Sequence, residues 1–144
     1  EFIDGREFNI SIMEENGKPR VLSPAEMTFV DYPKDKFRIV GYDAKWKEDS
    51  FEYSHTVRSF DFEKKDEKLL KDLEKICKKV WEVFGLNGYA RVDFRIDKNG
   101  KPYVLEINTN PGIAPDSGFV AACAKEGMNY KEAISRIVKE VHKK

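Results

Sequence analysis

The pair Asn99-Gly100, set between two runs of alternating apolar residues, constrains this chain more than any other feature. An Asn-Gly dipeptide readily takes the positive φ needed at both central positions of a two-residue type I′ turn, and so predicts a β-hairpin. The flanking runs are Tyr89-Ala-Arg-Val-Asp-Phe-Arg-Ile-Asp97 and Pro102-Tyr-Val-Leu-Glu-Ile-Asn-Thr-Asn-Pro111. Counting outward from the turn pairs Ile96 with Tyr103, Phe94 with Leu105 and Val92 with Ile107, which makes one face wholly apolar. The same count sets Asp93 opposite Glu106 and Arg91 opposite Asn108 on the other face. Two carboxylates directly across a strand pair cost roughly 0.2–1 kcal/mol, so the arrangement asks for a reason. One reason is a divalent cation: Mg²⁺ takes oxygen ligands, commonly one or two carboxylates completed by water and phosphate, and Asp93, Glu106 and the Asn108 amide oxygen form such a set. The plainer reading is an ordinary solvated face neutralised by Arg91. A one-residue slip of register would separate the set altogether; spacing alone leaves both readings open.

At 144 residues the chain is one domain with room for a core. Basic and acidic residues balance at 26 each, which gives no electrostatic case for nucleic acid or an anionic membrane as partner. No apolar run approaches the roughly 18 residues of a membrane span and no signal peptide is visible, so a soluble protein is expected. Cys77 and Cys123 lie among apolar residues without C-x-x-C or Cys/His spacing and read as buried reduced thiols, in keeping with a reducing cytoplasm. Glu1-Phe2-Ile3 opens with neither an initiator Met nor a polar lead-in, which reads as the interior of a larger protein.

Residues 1–13 alternate weakly as Phe2, Phe8, Ile10 and Ile12, with Asp4-Gly5 as a turn or bulge. Asn16-Gly17 repeats the type I′ signal before Val21 and Leu22, predicting a second antiparallel hairpin that ends near Pro24. Glu1 and Glu7 read as solvated strand charges, with hydrogen bonding to sugar hydroxyls as the alternative. Residues 31–65 hold no sustained period and predict a long loop serving as a lid or binding element. Within it Lys45 is by default a solvated charge and otherwise a phosphate contact, and His55 reads as a surface residue. From Asp66 the pattern becomes helical, with Leu69, Leu70, Leu73, Ile76, Cys77, Val80, Val83 and Phe84 as a buried stripe, Asp66 as cap and Gly85 as terminator. Thr109-Asn110-Pro111-Gly112 then predicts a turn before a small-residue helix over about 117–125, whose N-terminus could hold an anion or simply follow a Pro/Gly turn. A last helix is capped by Asn129 with Glu132 at capping-box spacing and buries Ile134, Ile137, Val138 and Val141. The expected fold class is α+β: an antiparallel sheet from two hairpins, packed on its apolar face by the helix at about 66–84 and closed by two C-terminal helices.

The chain has no internal repeat, no phosphate-binding G-x-x-x-x-G-K-[ST] or G-x-G-x-x-G loop, and no G-x-S-x-G nucleophile elbow; His55 and His142 suggest no triad. Three stretches taken together are more telling: Arg91-x-Asp93, Glu106-x-Asn108-Thr-Asn-Pro111-Gly112, and the opening Glu1-Phe-Ile-Asp-Gly-Arg-Glu7. With these the chain resembles, from Glu1 to about Val141, the C-terminal subdomain of an ATP-grasp ligase, most closely the D-alanine:D-alanine ligase group of peptidoglycan synthesis.

The resemblance implies ATP and Mg²⁺, with Mn²⁺ as an alternative ion, and Asp93, Glu106 and Asn108 as the metal ligands. It implies that Arg91 and the backbone N–H of Gly112 stabilise the charged transition state. Glu7 would hold the ribose hydroxyls, the backbone of Glu1, Phe2 and Ile3 would meet adenine, Lys45 would bind phosphate, and Ser117 would bind the carboxylate of the second amino acid. The chemistry implied is acyl-phosphate formation from a small amino-acid carboxylate, followed by attack of an amine to form a peptide bond. A homodimer is also within the family's habit. The resemblance further implies an upstream ATP-grasp subdomain and an N-terminal substrate domain, so residues 1–144 alone are expected to be inactive. Two features depart from the pattern: Gly118-Phe119-Val120 follow Ser117 where leucine is typical, and Asp116 sets a negative charge beside it. These leave open a ligase for other amino acids or dipeptides, and beyond the enzyme class a non-catalytic module that binds Mg²⁺ or nucleotide or serves in assembly.

Overall fold

The longest strand, β1 (Gly5–Glu15), runs through the middle of an antiparallel sheet in the computed structural model of the protein, which describes residues 1–141. One edge of β1 pairs with β5 (Tyr89–Asp97), and β5 with β6 (Pro102–Asn108). Its other edge is shared by β2 (Lys18–Val21) and β3 (Ala25–Phe29), and β3 carries β4 (Thr56–Ser59), giving the order β4-β3-β1-β5-β6 with β2 beside β1. Two five-residue helices, α1 (Tyr42–Trp46) and α2 (Phe51–His55), precede β4. The long helix α3 (Glu67–Val83) precedes β5, and α4 (Gly118–Lys125) and α5 (Tyr130–Val141) close the chain. The expected burial of the Val141 side chain and the position of His142 lie outside the described residues.

The α+β arrangement follows from strand alternation. Phe8, Ile10 and Ile12 on β1 and Val92, Phe94 and Ile96 on β5 share one face and are fully buried against Leu73, Cys77 and Trp81 of α3. Each such side chain contributes roughly 1.5–3 kcal/mol, which makes this layer the main stabilising element. The α3 stripe ends earlier than expected: Val83 and Phe84 are exposed because Gly85, at φ +57, terminates the helix, and Trp81 completes the buried face instead. Asp66 does not cap α3 through its side chain; its carboxylate accepts from Arg6 at 2.6 Å. On the opposite face Met13 and Tyr89 join Phe119, Ala122 and Cys123 of α4 and Ala133 of α5 in a second, smaller core. Val138, expected in that core, is exposed. Burial pushes the Cys77 thiol up to about 12 and the Cys123 thiol to about 11, so both are inert, unpaired thiols.

The two Asn-Gly turns differ. Asn16 and Gly17 both take positive φ (55° and 76°) and join Glu15 to Lys18 in the expected two-residue turn. In the second hairpin only Gly100 does so, at φ 80°. The Asp97 carboxylate accepts from the backbone of Asn99 (2.8 Å) and Lys101 (2.9 Å), and Asp97 N–H donates to the Lys101 carbonyl (3.0 Å), which draws Lys98 into a three-residue loop. The register near the turn therefore moves by one: Ile96 faces Pro102 and Phe94 faces Val104, not Tyr103 and Leu105. Between Phe94 and Asp93 a bulge leaves Leu105 unpaired and 53% exposed, and beyond it Asp93 faces Glu106, Val92 faces Ile107 and Arg91 faces Asn108. Nor is Gly5 a turn: it opens β1 opposite Asp97, where a Cβ would lie 1.9 Å from the Ile96 carbonyl oxygen, so the strands approach there only with glycine.

The stretch expected as one loop over 31–65 holds two short helices and a strand between irregular segments. Ser50 accepts a hydrogen bond from Tyr53 N–H at 3.0 Å to start α2, and β4 adds a strand to the sheet. His55 is half-buried, its ring stacked 3.9 Å from that of Phe51.

Candidate active site

The polar face of the sheet carries the candidate site. Period-2 alternation puts Glu7, Asn9 and Ser11 of β1 directly across from Arg95, Asp93 and Arg91 of β5, with Glu106 and Asn108 of β6 beyond. Arg91 holds Asp93 by a two-pronged hydrogen bond, Nε to Oδ1 at 2.7 Å and Nη2 to Oδ2 at 2.8 Å. The Glu106 carboxylate stands 3.7 Å from Arg91 Nη2 and its side chain is 53% exposed, whereas Asp93 is buried. Burial works against the Arg91 charge, but the Asp93 hydrogen bonds and the nearby carboxylates of Asp93, Glu106 and Glu7 outweigh it and hold the guanidinium above its usual range. A guanidinium carries five N–H groups; two are used on Asp93, and the others make no hydrogen bond among the described residues, which leaves them for an incoming anion. The Asn108 side-chain oxygen accepts from Asn110 N–H at 3.0 Å, an Asx turn that starts the Pro111-Gly112 segment.

This donor set suits a hard cation. It consists only of oxygens, two carboxylates and an amide, one of them solvent-facing, and it lacks the three or more acidic or imidazole groups of a closed protein cage among the described residues. An ion that keeps water and phosphate ligands matches it.

Four residues along, the same face is closed. Arg95 is almost wholly buried and donates to the backbone oxygens of Ile3 (2.9 Å), Gly5 (3.2 Å) and Arg38 (2.8 Å) and to Glu7 Oε2 (3.1 Å). Glu7, read from the sequence as a solvated charge, is thus buried; its Oε2 also accepts from Val40 N–H at 3.2 Å. Desolvation pushes its carboxyl upward, only partly offset by Val40 N–H and Arg95. The Phe2 ring meets Phe37 edge-on at 5.1 Å, and Arg95 lies 5.2 Å over its centroid. The opening segment is therefore pinned to the sheet through Arg95, with Glu1 exposed.

The remaining sequence candidates are distributed around this face. Ser117 is the N-cap of α4, accepting from Val120 N–H at 3.4 Å. Exposed Gly112 lies close by, a Cβ there falling 3.9 Å from the Ser117 Cβ. Lys45 sits exposed on α1 and has no ion-pair partner among the described residues, so the structure does not bring it to the Asp93 cluster. The sequence reading missed Arg95 and the position of Arg58. The first was findable, since it lies two residues from Asp93 on the same face. The second was hidden because β4 was read as loop.

The family model for the D-ala D-ala ligase C-terminus matches residues 1–139. The chain belongs to that family. A D-alanine–D-alanine ligase of Aquifex aeolicus (strain VF5) is 32% identical over 139 residues, covering 96% of this chain and 41% of that protein. Among solved structures, D-alanyl-alanine synthetase A from Vibrio cholerae is 26% identical with a TM-score of 0.73, covering 96% of this chain and 39% of that one. The D-alanine–D-alanine ligase of Bacillus anthracis, complexed with ATP, has the same fold at 20% identity and a TM-score of 0.70. The chain spans about 40% of the length of the curated relatives it matches. Within the D-ala D-ala ligase C-terminal family, then, the expected antiparallel sheet with its packed helices is the architecture observed.

Proposed function

We propose that the protein to which this chain belongs is an ATP- and Mg²⁺-dependent ligase that joins two small amino acids, in the manner of the D-alanine–D-alanine ligases it resembles. The observation that carries this reading is the register of β5 and β6, which sets Asp93 opposite Glu106 and Arg91 opposite Asn108 on one face. Asp93, Glu106 and Asn108 would hold Mg²⁺ there, which when bound supplies neutralisation of the ATP phosphates. In the first step an oxygen of the substrate carboxylate bonds to the γ-phosphorus as the bond to ADP breaks. In the second, an amine bonds to the acyl carbon, loses a proton, and phosphate leaves. Charge grows on the transferred group and then on the tetrahedral carbon's oxygen; the remaining N–H groups of Arg91 and the Gly112 N–H would donate to it.

Glu7 offers its second oxygen to the ribose, the pinned backbone of Glu1 to Ile3 supports adenine, Lys45 reaches phosphate on closure of α1, and Ser117 binds a substrate carboxylate. The upstream domains supply the other half of the nucleotide grip, so residues 1–144 alone do not turn over. Use of ATP places the reaction in the cytoplasm, where it feeds cell-wall precursor synthesis. No described helix is long and apolar enough to cross a membrane.

The test is amino-acid-dependent release of ADP by the full-length protein, compared with Glu106→Gln. Loss of the stimulated release in the variant is expected. Stimulated turnover that survives the substitution removes Glu106 from the metal set and sinks the assignment.

A further inference from the structure

Arg58 belongs to none of the roles above, yet it reaches the same face. In β4 it pairs with Met27 of β3, which pairs with Glu7 of β1, so Arg58 projects to the polar side of the sheet at its edge. Its guanidinium lies flat against the start of α4. A Cβ on Gly118 would fall 3.4 Å from Nη2 and 3.7 Å from Cζ and Nε, already in van der Waals contact, so a side chain that extends beyond Cβ at 118 displaces the guanidinium.

What Arg58 lacks is a partner. Among the described residues the other buried and half-buried arginines, Arg6, Arg20, Arg91, Arg95 and Arg136, each form an ion pair with a carboxylate. Arg58 is half-buried and forms none. The charges that act on it are repulsive Arg91 and attractive Asp116, and desolvation with Arg91 lowers its pKa. A partly desolvated cation beside another cation is costly until an anion joins it. The guanidinium fork matches a carboxylate in two hydrogen bonds, and the Ser117 hydroxyl, next to Gly118, has a proton to donate as well.

We propose that Arg58 is a specificity-determining residue for the amine-donating substrate, binding its carboxylate over Gly118 next to Ser117. The proposal rests on the ligase reading. It also explains the glycine after Ser117: with leucine there, Arg58 has no room to lie against the backbone. The substrate class it selects is a free amino acid with an ionised carboxylate, in preference to its neutral amide.

The test uses the full-length protein with ATP, Mg²⁺ and an equal mixture of D-alanine and D-alaninamide as competing amine donors, with the two dipeptide products weighed by mass spectrometry. The wild type is expected to favour the acid product. Arg58→Gln is expected to reduce the acid-to-amide ratio roughly 10- to 100-fold, the worth of a charge-assisted hydrogen bond, mainly by raising the KM for D-alanine as amine donor while kcat and the KM for ATP change little. Gly118→Leu leaves Arg58 in the chain but pushes it off its seat, and is expected to reduce the ratio in the same direction. If Arg58→Gln fails to fold, Gly118→Leu decides. An unchanged ratio in a folded variant, or a rise confined to the KM for ATP, overturns the proposal and makes Arg58 a packing or phosphate residue. If the wild type releases ADP with another amino acid and not with D-alanine, the same competition with that amino acid and its amide decides; a wild-type protein that releases no ADP with any amino acid overturns the ligase reading itself, and the Arg58 proposal falls with it.

Discussion

Arg91 and Arg95 stand four residues apart on one face of one strand, and they do opposite work. Arg95 is sealed in, and its N–H groups are spent on Glu7 and three backbone oxygens of the opening segment and residue 38. Among the described residues Arg91 hydrogen-bonds only Asp93 and pairs loosely with exposed Glu106 at 3.7 Å, which keeps donors in reserve. The difference lies in what covers them: backbone oxygens of Ile3, Gly5 and Arg38 hydrogen-bond Arg95, while among the described residues no backbone segment hydrogen-bonds Arg91. A strand thus fastens the structure at one end and leaves chemistry open at the other.

The sharpest way to break this contrast is Arg95→Met. It leaves Glu7 buried and charged without its partner and frees three carbonyls, so a loss of about 3–5 kcal/mol is expected in urea unfolding at pH 7. Adding Glu7→Gln should recover much of that loss, because the orphaned charge is then gone. A loss under about 1 kcal/mol would show that Arg95 is not a fastening and that the closed end is no more structural than the open one.

At the open end the effect should appear in rate. Lysine at 91 keeps the positive charge but lacks the planar fork that grips Asp93 while presenting further donors. Arg91→Lys in the full-length protein is therefore expected to lower kcat for ADP release about 10²- to 10³-fold, with a much smaller change in unfolding midpoint than Arg95→Met. Equal losses of stability at the two positions, with kcat intact at 91, would erase the distinction.

Much of this face was legible in the sequence, but partly by cancellation. Counting from Asn99-Gly100 placed Asp93 across from Glu106 correctly, although the turn holds one residue more than the count assumed. Asp97 captures the loop amides and shifts the register by one, and the Leu105 bulge shifts it back before the site. Neither departure has a period-2 signature, so only their sum could be anticipated. The Asn16-Gly17 turn shows the rule unperturbed, since Glu15, unlike Asp97, does not fold its carboxylate back onto the turn but pairs with Arg20 at 3.2 Å. β4 went unread because its four residues, Thr56-Val-Arg-Ser59, are too few to show alternation, and Arg58 went with it. Glu7 was misread because its burial comes from Arg95 and Val40, 88 and 33 residues away, which no local pattern reports.

The smallest effect separates the two ends by pH. The Glu7 carboxyl is raised in the folded protein, chiefly by desolvation, so the fold favours its protonated form. Its contribution to stability is present below the unfolded value, near 4.5, and is lost as pH rises through the raised folded value. Glu7→Gln cannot titrate, and so should match the wild type in acid and become the more stable protein as pH climbs above 4.5 toward neutrality. Asp66, held low by Arg6, acts in the other sense at lower pH, but it is common to both proteins and drops out of the difference. Urea midpoints of the two proteins across pH 4 to 7 give that difference directly. A gap that runs the opposite way, with the wild type gaining on the variant as pH rises, would mean that the attraction of Arg95 exceeds the cost of burial, and that the closed end holds its charge pair as firmly as the open end holds Arg91 and Asp93.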